Sequence, residues 1–346
     1  MRYIGIIILL VLCLTLLLLA GCIVNTVIPE TTSGNLGNQE NTKEPVIVDT
    51  KESGTVNSQK WSGLTGFTTW YGHVSFANTW LANGFTEIRD IRNYLNTTEV
   101  NGSKAAVLAA NAKGLKFIWG VGSSAITSSN WPTFRQAILD AATWAQANGV
   151  YEFQLGNEEE YHVDGTTMTI AGIIANLKSV ATEVKQIFTN GNVSYPCWQG
   201  SIDDWITAGK GDIDILASNV YIGGEGYYSG NEWESRITNL VNAFGVNGTY
   251  ITEFGPSWSS LDNYSTDETV QATALTEMIE YIKASGITRA FYFCYQSDNF
   301  GALKNDGTYR LLWNQALLNS GPVESTTVPT KTTTISLPDT IALIPK

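Results

Sequence analysis

From Trp61 to Asn319 the chain repeats one pattern: a short apolar run, a stretch with helical periodicity, then another apolar run. The runs are "GFTTWY", "FTEIRD", "KFIWGV", "YEFQLG", "NVSYP", "IDILASNVY", "TYITEFG" and "ITRAFYFCY", eight in all. Most gaps carry segments such as "WPTFRQAILDAATWAQAN" and "TVQATALTEMIEYIKASG", whose apolar residues recur with helical spacing. Several gaps close in Gly or Asn-Gly just ahead of the next run, a helix-stop signal. Strands that alternate with helices build parallel sheets, because each helix carries the chain back to the start of the next strand. Eight such repeats over residues 61–319 suit an α/β fold made of a single (β/α)8 barrel, which takes roughly 250 residues. A doubly wound open sheet is the alternative.

The open sheet has one motif in its favour. "GVGSSA", Gly120 to Ala125, follows the run "KFIW" and fits a dinucleotide-binding pattern, with Asp140 in place of the ribose-binding acid. The motif follows the third run rather than the first, and the next helix starts only near Trp131. No cofactor is therefore expected. The chain holds two histidines, His73 and His162, and no Cys-x-x-Cys, so a metal site of the usual His or Cys kind is not expected either.

The ends of the chain depart from the repeat. Arg2 is followed by apolar residues from Ile4 to Ala20, the shape of a signal peptide and slightly short for a spanning helix. The run closes in Leu19-Ala20-Gly21-Cys22, which resembles the lipobox of prokaryotic lipoproteins. That resemblance implies cleavage ahead of Cys22, lipidation of its thiol and a protein held on the outer or periplasmic face of a membrane. An uncleaved anchor helix is the other reading. Residues 22–60 are rich in Thr, Asn, Glu, Gly and Pro, with no aromatic before Trp61, as in a flexible tether. Residues 320–346 form a Thr/Pro-rich tail. The expected organisation is thus a leader over 1–21, a tether over 22–60, the barrel over 61–319 and the tail. Of the four cysteines, Cys13 and Cys22 belong to the leader and lipid site; Cys197 and Cys294 are expected to be buried free thiols.

Charge narrows the partners. Lys and Arg number 20 against 32 Asp and Glu, a net charge of -12. An acidic surface repels a phosphate backbone, so no nucleic-acid partner is expected. A monomer is expected.

Polar residues at the ends of barrel strands are the candidates for chemistry. "FQLGNEEEYH" ends the fourth run in Asn157, Glu158, Glu159 and Glu160. One reading is structural: Asn157 caps a helix, Glu160 completes a capping box, and the glutamates favour the helix dipole. "YITEFG" places Glu253 at the end of the seventh run, where an unpaired carboxylate would be costly. Strands four and seven face each other across an eight-stranded barrel, so Glu158 and Glu253 can converge over its mouth. Two such carboxyls are what glycosidic cleavage needs.

Here the chain resembles the clan-A retaining glycoside hydrolases. Gly156-Asn157-Glu158 and Thr252-Glu253-Phe254-Gly255 match the clan's motifs after strands four and seven. Gly84-Phe85-Thr86-Glu87-Ile88-Arg89 resembles its strand-two pattern, and Asn219-Val220-Tyr221 resembles the Asn-x-Tyr of family 2 glycosidases and family 72 glucanosyltransferases. The resemblance implies that Glu158 is the acid/base and Glu253 the nucleophile. It also implies that Arg89 and Tyr221 attend the nucleophile and that Asn157 binds the sugar 2-hydroxyl. The clan usually has Pro where Glu159 stands. Its strand-eight Trp, the floor of the cleavage subsite, has only Tyr295 as a counterpart.

Eleven Trp and 15 Tyr in a chain with 15% charged residues suit stacking on sugar rings, or simply a large core. Trp70, Trp119, Trp198 and Trp258 fall near strand ends, where each can be a sugar platform or a loop anchor. Glu159 and Glu160 are expected at the solvated surface, and His162 in a loop. The function expected is retaining cleavage of a β-linked oligo- or polysaccharide of β-glucan or β-mannan type, by endo action. A transglycosylase and a non-catalytic carbohydrate-binding lipoprotein are the alternatives.

Overall fold

Each of the eight apolar runs becomes a strand. A computed structural model describes residues 63–69, 71–222, 232–256, 267–297 and 301–320. The expected leader, the tether and nearly all of the tail lie outside these residues, as do Cys22, Trp70 and Trp258. The strands are β1 Leu64–Thr68, β2 Glu87–Asn93, β3 Lys116–Gly122, β4 Glu152–Gln154, β5 Asn192–Trp198, β6 Ile215–Ile222, β7 Ile251–Pro256 and β8 Ala290–Phe293. All pair in parallel with their chain neighbours, and β1 pairs with β8, closing the barrel. The (β/α)8 barrel is the observed fold, and the open sheet is not.

Helices return the chain between strands. They are α1 Ala77–Ala82, α2 Thr97–Ala112, α3 Trp131–Ala147, α4 Ile170–Ile187, α5 Ile202–Ala208, α6 Glu232–Phe244 and α7 Glu268–Ala284. A π turn, Trp313–Leu317, and Leu318–Ser320 follow β8. Side-chain caps start α2 and α4: Asn96 Oδ1 accepts from Glu99 N at 3.2 Å, and Thr169 Oγ1 from Gly172 N at 3.1 Å. Their apolar stripes face the barrel. On α4 the buried side is Ile173, Ile174, Leu177, Val180, Ala181 and Val184.

The suspected dinucleotide glycines serve packing instead. Gly120 lies inside β3, where a Cβ would come within 2.0 Å of the Gln154 carbonyl oxygen. Asp140 is an exposed residue of α3, bonded to Gln136 at 2.8 Å.

The barrel interior is polar along part of its length. Arg289 donates to Glu87 at 2.6 Å and to Glu152 at 2.5 Å. Ser194 and Tyr250 donate to the other oxygen of Glu152, at 2.6 and 2.5 Å. A buried carboxylate is tolerable when it is paired and hydrogen-bonded in this way. Gln154 donates to Tyr250 Oη at 3.0 Å and accepts from Arg89 Nε at 2.6 Å. The network therefore runs from the Glu87–Glu152 cluster to Arg89. Cys197 and Cys294 are both free and buried.

Candidate active site

Arg89, on β2, has no exposed surface, and each of its three guanidinium nitrogens is hydrogen-bonded. Nε holds Gln154, one terminal nitrogen meets Glu253 Oε1 and Thr68 Oγ1, and the other donates to Asn157 Oδ1 at 2.6 Å. A planar fork bound on three sides has one orientation. Glu253, on β7, accepts from Arg89 on one oxygen and from the Tyr221 hydroxyl of β6 on the other. This is the hydrogen-bonding of a carboxylate anion with a fixed direction. Thr252 bonds Asn219 at 2.7 Å, Asn219 donates to Asn157 at 3.2 Å, and Thr68 donates to the Thr252 carbonyl at 2.6 Å. These bonds tie β1, β6 and β7 to the turn after β4.

Glu158 follows β4 in a turn, not in a helix. Its φ is +55°, a left-handed conformation that residues with a Cβ rarely adopt. The turn is pinned by Glu158 N to the Pro196 carbonyl at 3.0 Å and by Tyr161 N to the Glu158 carbonyl at 2.9 Å. The carboxyl atom Oε1 is sealed from solvent and has no hydrogen-bond partner. Burial, the Glu253 charge and the Glu160 charge push the Glu158 pKa up to about 8, against the opposing pull of Asn219 and Arg89.

Glu159 and Glu160 differ from expectation: both are buried. Glu159 Oε1 accepts from Asn157 N at 3.0 Å and Ser123 N at 3.1 Å, while Oε2 is buried without a partner. Glu160 accepts from Tyr195 Oη at 2.7 Å and from Trp205 Nε1, between the barrel and α5. Burial raises both carboxyls above the usual range. The capping-box reading fails as well, since the next helix, α4, starts only at Ile170.

The aromatics divide. Trp119 is fully buried, donating to Ser103 at 2.9 Å and edge-on to Trp144, so it is core and not a sugar platform. Tyr295 is also fully buried, packed on Phe67, Phe76, Trp80 and Trp313. It does not form a floor. Trp198, at the end of β5, is partly exposed with its ring 5.5 Å from that of Tyr161. Phe293, at the end of β8, is partly exposed and meets Tyr221 edge-on at 6.1 Å. Sequence reasoning passed over Phe293 and Gln154. The signal for Gln154 was a polar residue flanked by Phe153 and Leu155 within an apolar strand.

Beside the pair, Asp90 meets Arg92 at 2.5 Å and accepts from Ser103 at 2.6 Å. Burial pushes Asp90 up to about 7 against the pull of Arg92. His162 is half-buried and lines a cavity that also borders Asn157. Among the described residues, no group of three or more His, Cys, Asp or Glu is placed to hold a metal. The geometry thus brings Arg89, Asn157, Glu158, Tyr221 and Glu253 together at the C-terminal mouth of the barrel. One carboxyl is held as an acceptor of two hydrogen bonds, and the other is kept protonated to neutral pH. Such a pair can attack an electrophilic carbon and give a proton to a leaving oxygen.

No protein-family model and no curated protein matches the chain. Solved structures do. A GH113 β-1,4-mannanase is 15% identical with a TM-score of 0.51, covering 69% of this chain and 94% of its own. An exo-β-1,4-mannosidase, Op5Man5 from Opitutaceae bacterium strain TAV5, is 12% identical with a TM-score of 0.54, covering 71% and 57%. An FMN-binding β-glucuronidase from Facaelibacterium prausnitzii L2-6 is 13% identical with a TM-score of 0.56, covering 74% and 43%. At these identities the likeness is one of fold: the chain shares with these glycosidases an eight-stranded parallel (β/α)8 barrel.

Proposed function

We propose that the chain is a retaining glycoside hydrolase that cleaves a β-linked polysaccharide of β-glucan or β-mannan type, with endo action. The observation that carries the reading is the contrast between two neighbouring carboxyls. Glu253 is fixed by Arg89 and Tyr221, whereas Glu158, half-buried with one carboxyl oxygen sealed from solvent, is pushed up to about 8. Environments that separate two carboxyls in this way assign a nucleophile and an acid. The mannanase and mannosidase that share the fold support the substrate class.

In this mechanism Glu253 attacks the anomeric carbon and Glu158 protonates the departing sugar oxygen, leaving a glycosyl ester on Glu253. Glu158, now a carboxylate, takes a proton from water, which attacks the same carbon and frees Glu253. Asn157 and Arg89 hold the reacting groups in register, and Phe293 offers the apolar face beside them. Lipidation at Cys22 would hold the enzyme at the membrane, with residues 22–60 as the tether to the barrel.

Azide rescue tests the assignment. On an aryl β-glycoside with an acidic phenol, Glu158→Ala should form the glycosyl ester and stall. Azide should then restore turnover and give the β-azide. Glu253→Ala with azide should give the α-azide by direct displacement. The opposite stereochemistry in the two variants would reverse the roles.

A further inference from the structure

Glu159 stands where the clan usually has Pro, and it makes bonds that a Pro could not. Its side chain folds back under its own turn. Oε1 accepts from the backbone N–H of Asn157 at 3.0 Å and from that of Ser123, just past β3, at 3.1 Å. The chain leaves room for this carboxyl. A Cβ at Gly156 would come within 2.6 Å of Oε1, and one at Gly122 within 3.2 Å, so both positions are bare where Glu159 lies. Glu159 has no exposed surface. Burial raises its pKa and favours the neutral form, in which Oε1 is the carbonyl oxygen.

The bonds of this turn close around Glu158. Three successive N–H groups are held: Asn157 N by Glu159 Oε1, Glu158 N by the Pro196 carbonyl at 3.0 Å, and Glu159 N by Tyr195 Oη at 2.8 Å. The Asn157 side chain is held in turn by Arg89 and Asn219. Inside this frame Glu158 keeps its φ of +55°, a conformation that persists only where the surroundings impose it. Glu158 Oε1 has no hydrogen-bond partner among the described residues, so the aim of the carboxyl depends on the backbone that carries it.

We propose that Glu159 is a positioning residue for the acid/base: its carboxyl ties the end of β3 to the turn after β4 and so fixes the direction in which Glu158 presents its proton. This rests on the glycosidase reading. The test compares dinitrophenyl and phenyl β-cellobiosides and β-mannobiosides on the parent protein, Glu159→Leu, Glu159→Gln and Gly156→Ala, whose Cβ displaces the carboxyl. Dinitrophenolate leaves without a proton, whereas phenolate needs one. Glu159→Leu should lower kcat/KM on the phenyl substrate by about tenfold or more, since a misplacement of roughly 1 Å can cost about a hundredfold. On the dinitrophenyl substrate kcat/KM should change by less than about threefold, while kcat and KM fall together, because a poorly aimed base lets the glycosyl ester accumulate. Gly156→Ala should show the same split more weakly, and it carries the test if Glu159→Leu does not fold. Glu159→Gln keeps the acceptor oxygen and should return the phenyl rate to within about threefold of the parent. Equal losses on both substrates, or none, would make Glu159 a packing residue and overturn the inference. A loss in Glu159→Gln as deep as in Glu159→Leu would overturn it too, since the acid function and not the brace would then be needed. A parent protein that cleaves neither substrate would overturn the glycosidase reading itself, whereas an active parent whose variants show no split overturns this inference alone.

Discussion

Glu158 combines two costs that a purely structural residue would avoid: a left-handed backbone and a sealed carboxyl oxygen without a partner. Each is worth roughly 1–3 kcal/mol. Glu158→Gly should therefore melt no lower than the parent, and higher if relief of strain outweighs the entropy of glycine, while losing activity on substrates with poor leaving groups. A fall of several degrees in Tm would show that the turn depends on the glutamate. The pH profile reads the same residue. An acid must be protonated to act, so a value raised to about 8 keeps Glu158 competent through neutrality. The rate of the proton-requiring step should fall as pH rises through about 8, and Glu158→Gln should remove that limb. A limb near the ordinary glutamate range would contradict the assignment. Glu160 serves stability instead. Both its oxygens accept buried hydrogen bonds, so Glu160→Gln, which must turn an amide N–H toward Tyr195 or Trp205, should cost about 1–3 kcal/mol in chemical denaturation.

The strands differ in what they lend the site. β4 is the shortest, yet Gln154 and the turn after it supply the bond to Arg89, the Asn157 link and Glu158. Gln154→Leu should free the Arg89 Nε end and unsettle Glu253 through it. The expected result is a tenfold or greater fall in kcat with a smaller change in KM, because Arg89 acts on the reacting group rather than on the bulk of the sugar. A change confined to KM would make Gln154 a packing residue. The same element shows what sequence can and cannot convey. Strands buried on both faces read as continuous apolar runs, so all eight were visible, and Glu158 and Glu253 stood out as polar residues closing two of them. Within "NEEE" no periodicity survives, because the segment is a turn, and solvated and buried glutamates look alike. Trp119 and Trp198 likewise both stand on strands, but only the pleat decides that one packs against Trp144 and the other near Tyr161.

At the scale of the whole molecule, carboxyls with raised pKa values set the response to pH. Glu158, Glu159, Glu160 and Asp90 are all raised, so each stabilises fully below its unfolded value and loses that contribution as pH rises through its folded one. His73 and His162 are lowered and work the other way, but only below the ordinary histidine value of 6.5. Tm should therefore decline more steeply above pH 6.5 than below it, and a Tm that climbs toward pH 8 would refute the burial of the glutamates. Among the described residues no helix is long and apolar enough to cross a membrane, and the proposed lipid at Cys22 lies outside them. Cys22→Ser should abolish lipid labelling and release the protein from the membrane fraction; unchanged labelling and location would remove the lipobox reading. The central claim, that Glu253 is the nucleophile and Glu158 its acid/base, is tested most directly by peptide mass mapping. The Glu158→Ala protein is quenched after reaction with a dinitrophenyl β-glycoside. The account predicts one added glycosyl unit, carried on the peptide that holds Glu253. A glycosyl ester on Glu159 or Glu160, or full turnover with no ester at all, would contradict it.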